Sequence, residues 1–174
     1  TYEAAGEITF EAIKHKNIKK VIFSGKEILV PNENAINAVT EKLGDTEIII
    51  GIGSGVIQDL CKYVSFCNNV PYIIVATAPS MDGYASNGAA MITEGMKVTY
   101  SAGLPTAIIG DVDILKKAPM EMIKAGYGDI IGKFSALNDW KLSHLINGEY
   151  YCDYIYNITY GQILSTLNLA EGIL

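Results

Sequence analysis

The chain has 174 residues, 49% of them hydrophobic and 18% charged, a composition that excludes disorder and lets a chain of this size bury roughly 70% of its unfolded surface. Its 13 Lys and Arg stand against 19 Asp and Glu, for a net charge of −6. Only Lys16, Lys19 and Lys20 come near to forming a basic cluster, which argues against nucleic acid or a membrane surface as partner. Three cysteines, Cys61, Cys67 and Cys152, show no CxxC spacing and suit neither a disulfide scaffold nor a Cys-type zinc site, so a reducing, cytoplasmic setting is expected. Glu3, Glu7, Glu11 and Lys14 leave no room for a signal-peptide apolar region, and no apolar run reaches the ~18 residues of a membrane span. The chain opens at Thr1 and stops at Leu174 inside a helical pattern, the expectation being a fragment.

In chain order, Ala5, Ile8 and Ala12 predict a helix over residues 3–17, followed by a short strand at Lys20–Phe23 closed by Ser24-Gly25. Asn32 or Asn34 can cap a second helix whose stripe is Ile36, Val39 and Leu43 and which ends at Gly44. A strand at 47–50, a helix over about 56–66 and a strand at 72–75 follow, the last read as buried on both faces because its apolar run is continuous. This βαβ alternation predicts a parallel sheet with crossover helices. Met91–Tyr100 reads as a hairpin turning at Glu94-Gly95, and Thr106–Gly110 has the composition of a buried strand. Pro119 sits where a helix can start, and from there the periodicity is helical throughout. The predicted organisation is an α/β domain over 1–117 and the opening of a helical domain over 118–174.

Three stretches carry chemistry. The predicted strand at 47–50 runs into Gly51-Ile-Gly53-Ser54-Gly55-Val56-Ile57 and then a helix, so small residues expose backbone N–H groups beside a helix N-terminus, an arrangement that suits a pyrophosphate. Neither the usual dinucleotide fingerprint nor a Walker A loop is matched, and a strand-to-helix turn without ligand is the plain alternative. After strand 72–75 comes Thr77-Ala-Pro-Ser80-Met-Asp82-Gly-Tyr-Ala-Ser86-Asn-Gly88, polar and at the carboxyl end of a strand, where open α/β sheets bind ligands. Its hydroxyls and the Asp82 carboxylate can meet substrate hydroxyls, or the loop can simply cap itself. In the third stretch Gly126-Tyr-Gly128 is read as ending one short helix and Asp129 as opening another, with the stripe Ile130, Phe134, Leu137 and Trp140. Asp129 is then either a helix-start carboxylate or a metal ligand. On a continuous helix His144 stands about 22 Å from Asp129 and cannot share an ion with it, so it reads as structural. His15 reads as solvated surface. Lys133 can pair with Asp129 at i, i+4 or reach an anionic substrate.

The Gly53–Asp59 segment, the block Thr77–Met91 and the block Gly126–Trp140, in this order and spacing, resemble the sn-glycerol-1-phosphate dehydrogenase branch of the iron-containing alcohol dehydrogenase and glycerol dehydrogenase superfamily. The resemblance implies a Rossmann-like parallel-sheet nucleotide-binding domain followed by an all-helical domain, the architecture shared with dehydroquinate synthase, with the active site in the cleft between the two. It implies NAD or NADP as cofactor, with Gly53, Ser54, Gly55, Val56 and Ile57 lining the pyrophosphate, Thr77 and Ser80 contacting the dinucleotide and Ser86 doing so near the nicotinamide. Asp82 would bind substrate, and Asp129 would touch substrate and ligate a divalent metal, zinc first, with nickel or iron as alternatives. The other two metal ligands of the family are histidines expected after Leu174, and its first strand is expected before Thr1. The implied reaction is reversible hydride transfer to C2 of dihydroxyacetone phosphate, a phosphorylated triose, in a homo-oligomer. A glycerol or other polyol dehydrogenase of the same superfamily is the nearest alternative, and a non-catalytic dinucleotide-binding module the alternative from another class.

Overall fold

The computed structural model describes residues 2–14, 16–24, 28–169 and 172. His15 lies outside them. The chain divides into two compact units, the first formed by Thr1–Pro79 and Gly83–Ala118, the second by Ser80–Asp82 and Pro119–Leu174. No helix among the described residues is long and apolar enough to cross a membrane.

The first unit opens with a π-helical turn, Tyr2–Gly6, that runs into α1 (Glu7–Ile13), so the predicted first helix stops four residues early. The strand expected at Lys20–Phe23 does not form. An extended segment becomes a strand only beside another strand, and among the described residues no sheet takes this one in. Instead, Phe23 packs on the core, Ile22 is exposed and the Lys20 ammonium sits 3.1 Å from the Phe10 ring centroid. Of the two candidate caps for α2 (Glu33–Leu43), Asn32 does the work, its side chain accepting from the Ala35 amide at 3.2 Å. Ile36, Val39 and Leu43 turn the predicted stripe to the core.

Strand β1 (Ile49–Gly53) lies further along than expected, because its parallel pairing with β2 (Tyr72–Ala76) places Gly51 opposite Ile74 and Gly53 opposite Ala76. Ladder hydrogen bonds and burial override the poor strand propensity of glycine. The strand-to-helix turn is therefore a single residue, Ser54, before α3 (Gly55–Asn68). β2 is buried at Tyr72, Ile74, Val75 and Ala76, as its continuous apolar run predicts. β5 (Ala107–Ile109) completes the parallel order β1-β2-β5. Its composition reads as buried, yet all three residues are exposed, no described element covering them as α3 covers β1.

β3 (Gly88–Thr93) and β4 (Met96–Ser101) form the expected hairpin, pairing Thr93 with Met96 across the two-residue turn Glu94-Gly95. Both turn residues have positive φ, 53° and 77°, the requirement of a type I′ turn. Glutamate is a poor choice there, but its amide donates to the Glu33 carboxylate at 2.8 Å, which anchors the turn to α2. The short α4 (Val112–Leu115) follows Asp111, whose side chain accepts from the Asp113 amide.

The second unit is helical. α5 runs without interruption over Met120–Asn147, after Pro119 at the N-cap, and α6 over Asp153–Asn168. The two short helices expected around Gly126 and Gly128 are thus one. A glycine in a helix interior is about 1 kcal/mol less favourable than alanine, and packing outweighs this: Gly126 is buried, as are Leu137 on α5 and Ile163 on α6. Phe134 and Tyr160 meet edge to face at 5.6 Å, and the Trp140 indole donates to the Tyr150 carbonyl at 2.7 Å.

The core of the first unit gathers Leu60, Cys61 and Val64 of α3 against Ile49, Tyr72 and Ile74 of the sheet. Burial pushes the Cys61 thiol up to about 12, so it remains a neutral packing group. A Cβ at Gly51 would lie 2.6 Å from Cys61 Sγ and 2.9 Å from Ile74 Cδ1. Gly51→Ala is therefore expected to destabilise the protein by about 1–3 kcal/mol in thermal or urea unfolding, part of which Cys61→Ala restores in the double variant.

Candidate functional site

The carboxyl ends of β1 and β2 lie side by side, since the Thr77 amide donates to the Gly53 carbonyl at 3.2 Å just beyond the last ladder pair. The turn at Ser54 and the loop that opens at Thr77 are neighbours for that reason alone. At the start of α3 the first intrahelical bond is Gln58 N to Ser54 O, 3.1 Å. The amides of Gly55, Val56 and Ile57 precede it and have no acceptor within the helix. Ser54 makes no side-chain cap, and residues 54–57 are all partly exposed. Three open amides at the positive end of a 14-residue helix are what a pyrophosphate needs.

Gly53 itself has a steric role. A Cβ there would fall 2.5 Å from Ile57 Cγ1 and 2.6 Å from Ile57 Cβ, so glycine at this position lets α3 begin directly above the strand end. A larger residue would displace the helix as well as any ligand, which makes Ser54 the cleaner position for probing the turn.

Thr77 is buried, Ser80 partly exposed and Ser86 exposed. Ser86 Oγ accepts from the Gly88 amide at 3.0 Å, and the Tyr84 hydroxyl donates to the Ala78 carbonyl at 2.8 Å. The loop therefore does cap itself in part. Beneath it lies a buried polar group that the sequence reading passed over. Lys62, fully buried on α3, donates to the Gly88 carbonyl at 2.8 Å and the Gly83 carbonyl at 3.3 Å, with Asp59 Oδ1 at 3.8 Å. Gln58, also fully buried, donates to Gly83 O, and its own Oε1 has no partner among the described residues. Burial pushes the Lys62 amine down and the Asp59 carboxyl up, each opposed by the other's charge. The visible signal was Gln58 and Lys62 at i, i+4 on an otherwise apolar helix face.

In the second unit, Asp129 is the tenth residue of α5 and not a helix start, so the dipole reading of this carboxylate falls. It is partly exposed, and its Oδ2 accepts from the Asp82 amide at 2.9 Å. Lys133, one turn on, stands 3.0 Å from Asp82 Oδ2, so its ion-pair partner is Asp82 where the sequence suggested Asp129. Partial burial pushes the Asp129 carboxyl up, but the Asp82 amide and the Lys133 ammonium outweigh it and hold the group below the ordinary aspartate value. Asp82 and Asp129 thus meet across 47 positions of sequence.

His144 lies on the same unbroken helix, and its Nδ1 is 2.6 Å from the Glu149 carbonyl, with its ring stacked on Tyr151. A carbonyl only accepts, so Nδ1 carries the proton and closes the turn into α6. Among the described residues, no three His, Cys, Asp or Glu side chains converge as a metal-binding group. These residues alone do not fit a closed metal centre, and Asp129 offers it one oxygen.

The fold is that of a parallel α/β protein with a helical continuation. Residues 1–119 match the family described as iron-containing alcohol dehydrogenase, and the chain belongs to that family. It is 30% identical to a glycerol-1-phosphate dehydrogenase [NAD(P)+] of Halalkalibacterium halodurans over 99% of this chain and 45% of the relative, and 38% identical to one of Staphylothermus marinus over 88% and 43%. The chain spans less than half the length of these curated relatives. Among solved structures it is similar to glycerol dehydrogenase from Schizosaccharomyces pombe, with 24% identity, a TM-score of 0.65, and 75% of this chain and 34% of that one covered. An iron-containing alcohol dehydrogenase from Thermotoga maritima gives 15%, 0.62, 75% and 42%.

Because Ser54 caps nothing while Asn32 does, Ser54→Ala is expected to leave stability within about 0.5 kcal/mol, whereas Asn32→Ala loses about 1 kcal/mol. Chemical denaturation of the two variants side by side checks the difference.

Proposed function

We propose that the chain belongs to an NAD(P)-dependent, metal-dependent dehydrogenase that interconverts dihydroxyacetone phosphate and sn-glycerol 1-phosphate. The observation that carries the reading is the assembly of Asp82, Asp129 and Lys133, two carboxylates and a cation held by a 2.9 Å hydrogen bond and a 3.0 Å ion pair. Such a group suits the hydroxyl-bearing end of a small polyol, since carboxylates accept from hydroxyls and the ammonium offsets part of their charge. The names of the relatives support the same substrate and cofactor.

In this reading residues 1–117 bind the dinucleotide and residues 118–174 begin the domain for metal and substrate. The open amides of Gly55, Val56 and Ile57, with Gly53 and Ser54 at the turn, receive the pyrophosphate. Thr77 and Ser80 contact the dinucleotide, and Ser86 does so near the nicotinamide. A bound dinucleotide would supply the hydride for reduction of the ketone at C2, with one proton taken up at its oxygen and the nicotinamide oxidised in balance. Asp82, paired with Lys133, accepts from a substrate hydroxyl, and Asp129 would give one oxygen ligand to a divalent ion, zinc in the first instance. Three free cysteines fit a cytoplasmic setting, and a homo-oligomer is part of the same proposal.

The protein as its gene encodes it is expected to reduce dihydroxyacetone phosphate with NADH or NADPH, with kcat/KM at least about tenfold above that for dihydroxyacetone. The reverse preference identifies a glycerol dehydrogenase, and cofactor binding without turnover of either identifies a binding module. Asp129→Asn is expected to lower bound metal, read by elemental analysis, together with turnover. Retention of one equivalent of metal by that variant removes Asp129 from the ligand set.

A further inference from the structure

A lysine with a side chain wholly out of solvent is an expensive feature, because an apolar residue of similar volume in its place is often neutral or favourable for stability. Lys62 occupies such a place on α3, and the groups around it are all acceptors: the carbonyls of Gly83 and Gly88 and the Asp59 carboxylate. The two carbonyls stand at the two ends of one turn, the single helical turn Gly83–Ala85 and the three residues after it. Gln58 adds a second donor at Gly83. Between the tethered ends lies Ser86, and Gly88 links it to the lysine: the Gly88 carbonyl accepts from Lys62 while the Gly88 amide donates to Ser86 Oγ. A movement of Lys62 therefore reaches the Ser86 hydroxyl through one residue.

We propose that Lys62 is a positioning residue of the dehydrogenase: by clamping both ends of the Gly83–Gly88 turn from below, it sets where the Ser86 hydroxyl meets the nicotinamide end of the cofactor. The inference rests on the dinucleotide reading proposed above and adds to it a residue that touches neither cofactor nor substrate. Asp59 keeps the clamp in register, one turn away on the same helix. The open amides of the pyrophosphate turn, those of Gly55, Val56 and Ile57, make no bond to Lys62. The consequence is a split between the two halves of the cofactor.

The test is a double-mutant cycle of Lys62→Gln and Ser86→Ala in the gene-encoded protein, with thermal unfolding of each variant and binding of two probes, NADH and ADP-ribose, the second lacking the nicotinamide. Each single variant is expected to weaken NADH about tenfold and to leave ADP-ribose within about twofold, and the double variant to bind NADH no worse than the weaker single one. Equal loss of both probes, additive losses in the double variant, or unchanged NADH binding in Lys62→Gln overturns the proposal. Should Lys62→Gln fail to unfold cooperatively, the same cycle is run with Gln58→Leu, which removes one of the two side-chain donors to Gly83, and the same outcomes decide. If the unaltered protein binds ADP-ribose but not NADH, the turn has no nicotinamide to meet and the positioning role falls. If it binds neither, the dehydrogenase reading itself fails and this inference with it.

Discussion

The closeness of α3 to β1 governs the first unit. With a Cβ at Gly51 or Gly53, the helix would have to lift from the strand, since Cys61 and Ile57 already occupy the space. Two glycines spaced by two residues face the same side of a strand, so together they give the helix a flat strip to lie on. That contact fixes the turn at one residue, brings the first amides of α3 beside the end of β2, and drives Lys62 down among the carbonyls of the following loop.

The two units solve the problem of holding a polar site differently. In the first, backbone groups dominate: open amides at Gly55, Val56 and Ile57, carbonyls at Gly83 and Gly88, and hydroxyls tied to main chain. In the second the site is made by side chains, Asp129 reaching the Asp82 amide and Lys133 reaching the Asp82 carboxylate. Membership of the iron-containing alcohol dehydrogenase family accords with both arrangements, and the proposed chemistry assigns the cofactor to the first and the substrate to the second.

Much of this was legible from local patterns. The Asn32 cap, the α2 stripe, the hairpin turn and the burial of β2 follow from short-range rules, and the structure carries them all. Failures arose where distant partners decide. The apolar run at Lys20–Phe23 joins no sheet among the described residues, while Ile108 and Ile109 look like core but are exposed on β5. The glycines at 51 and 53 read as loop because their strand character comes only from β2. Gly126 and Gly128 read as helix ends because their helical conformation is supported by burial and not by propensity. The pairing of Lys133 with Asp82 depends on a contact 51 residues long, which no periodicity encodes. Lys62 was missed for a related reason, its partners being main-chain carbonyls that leave no mark in residue type.

The same glycines have a second effect on α5. Along a helix the neighbours of a residue on its own face lie three and four positions to either side, and for Asp129 the two at three are glycine, 126 and 132, while Ala125 and Lys133 stand at four. Gly128 and Gly132 have nothing within 4 Å of where a Cβ would stand, so nothing forbids alanine sterically, and alanine would make the better helix. The peptide at Gly128 and Gly132 is therefore left open, while Gly126, on the packed face of the same helix, is buried.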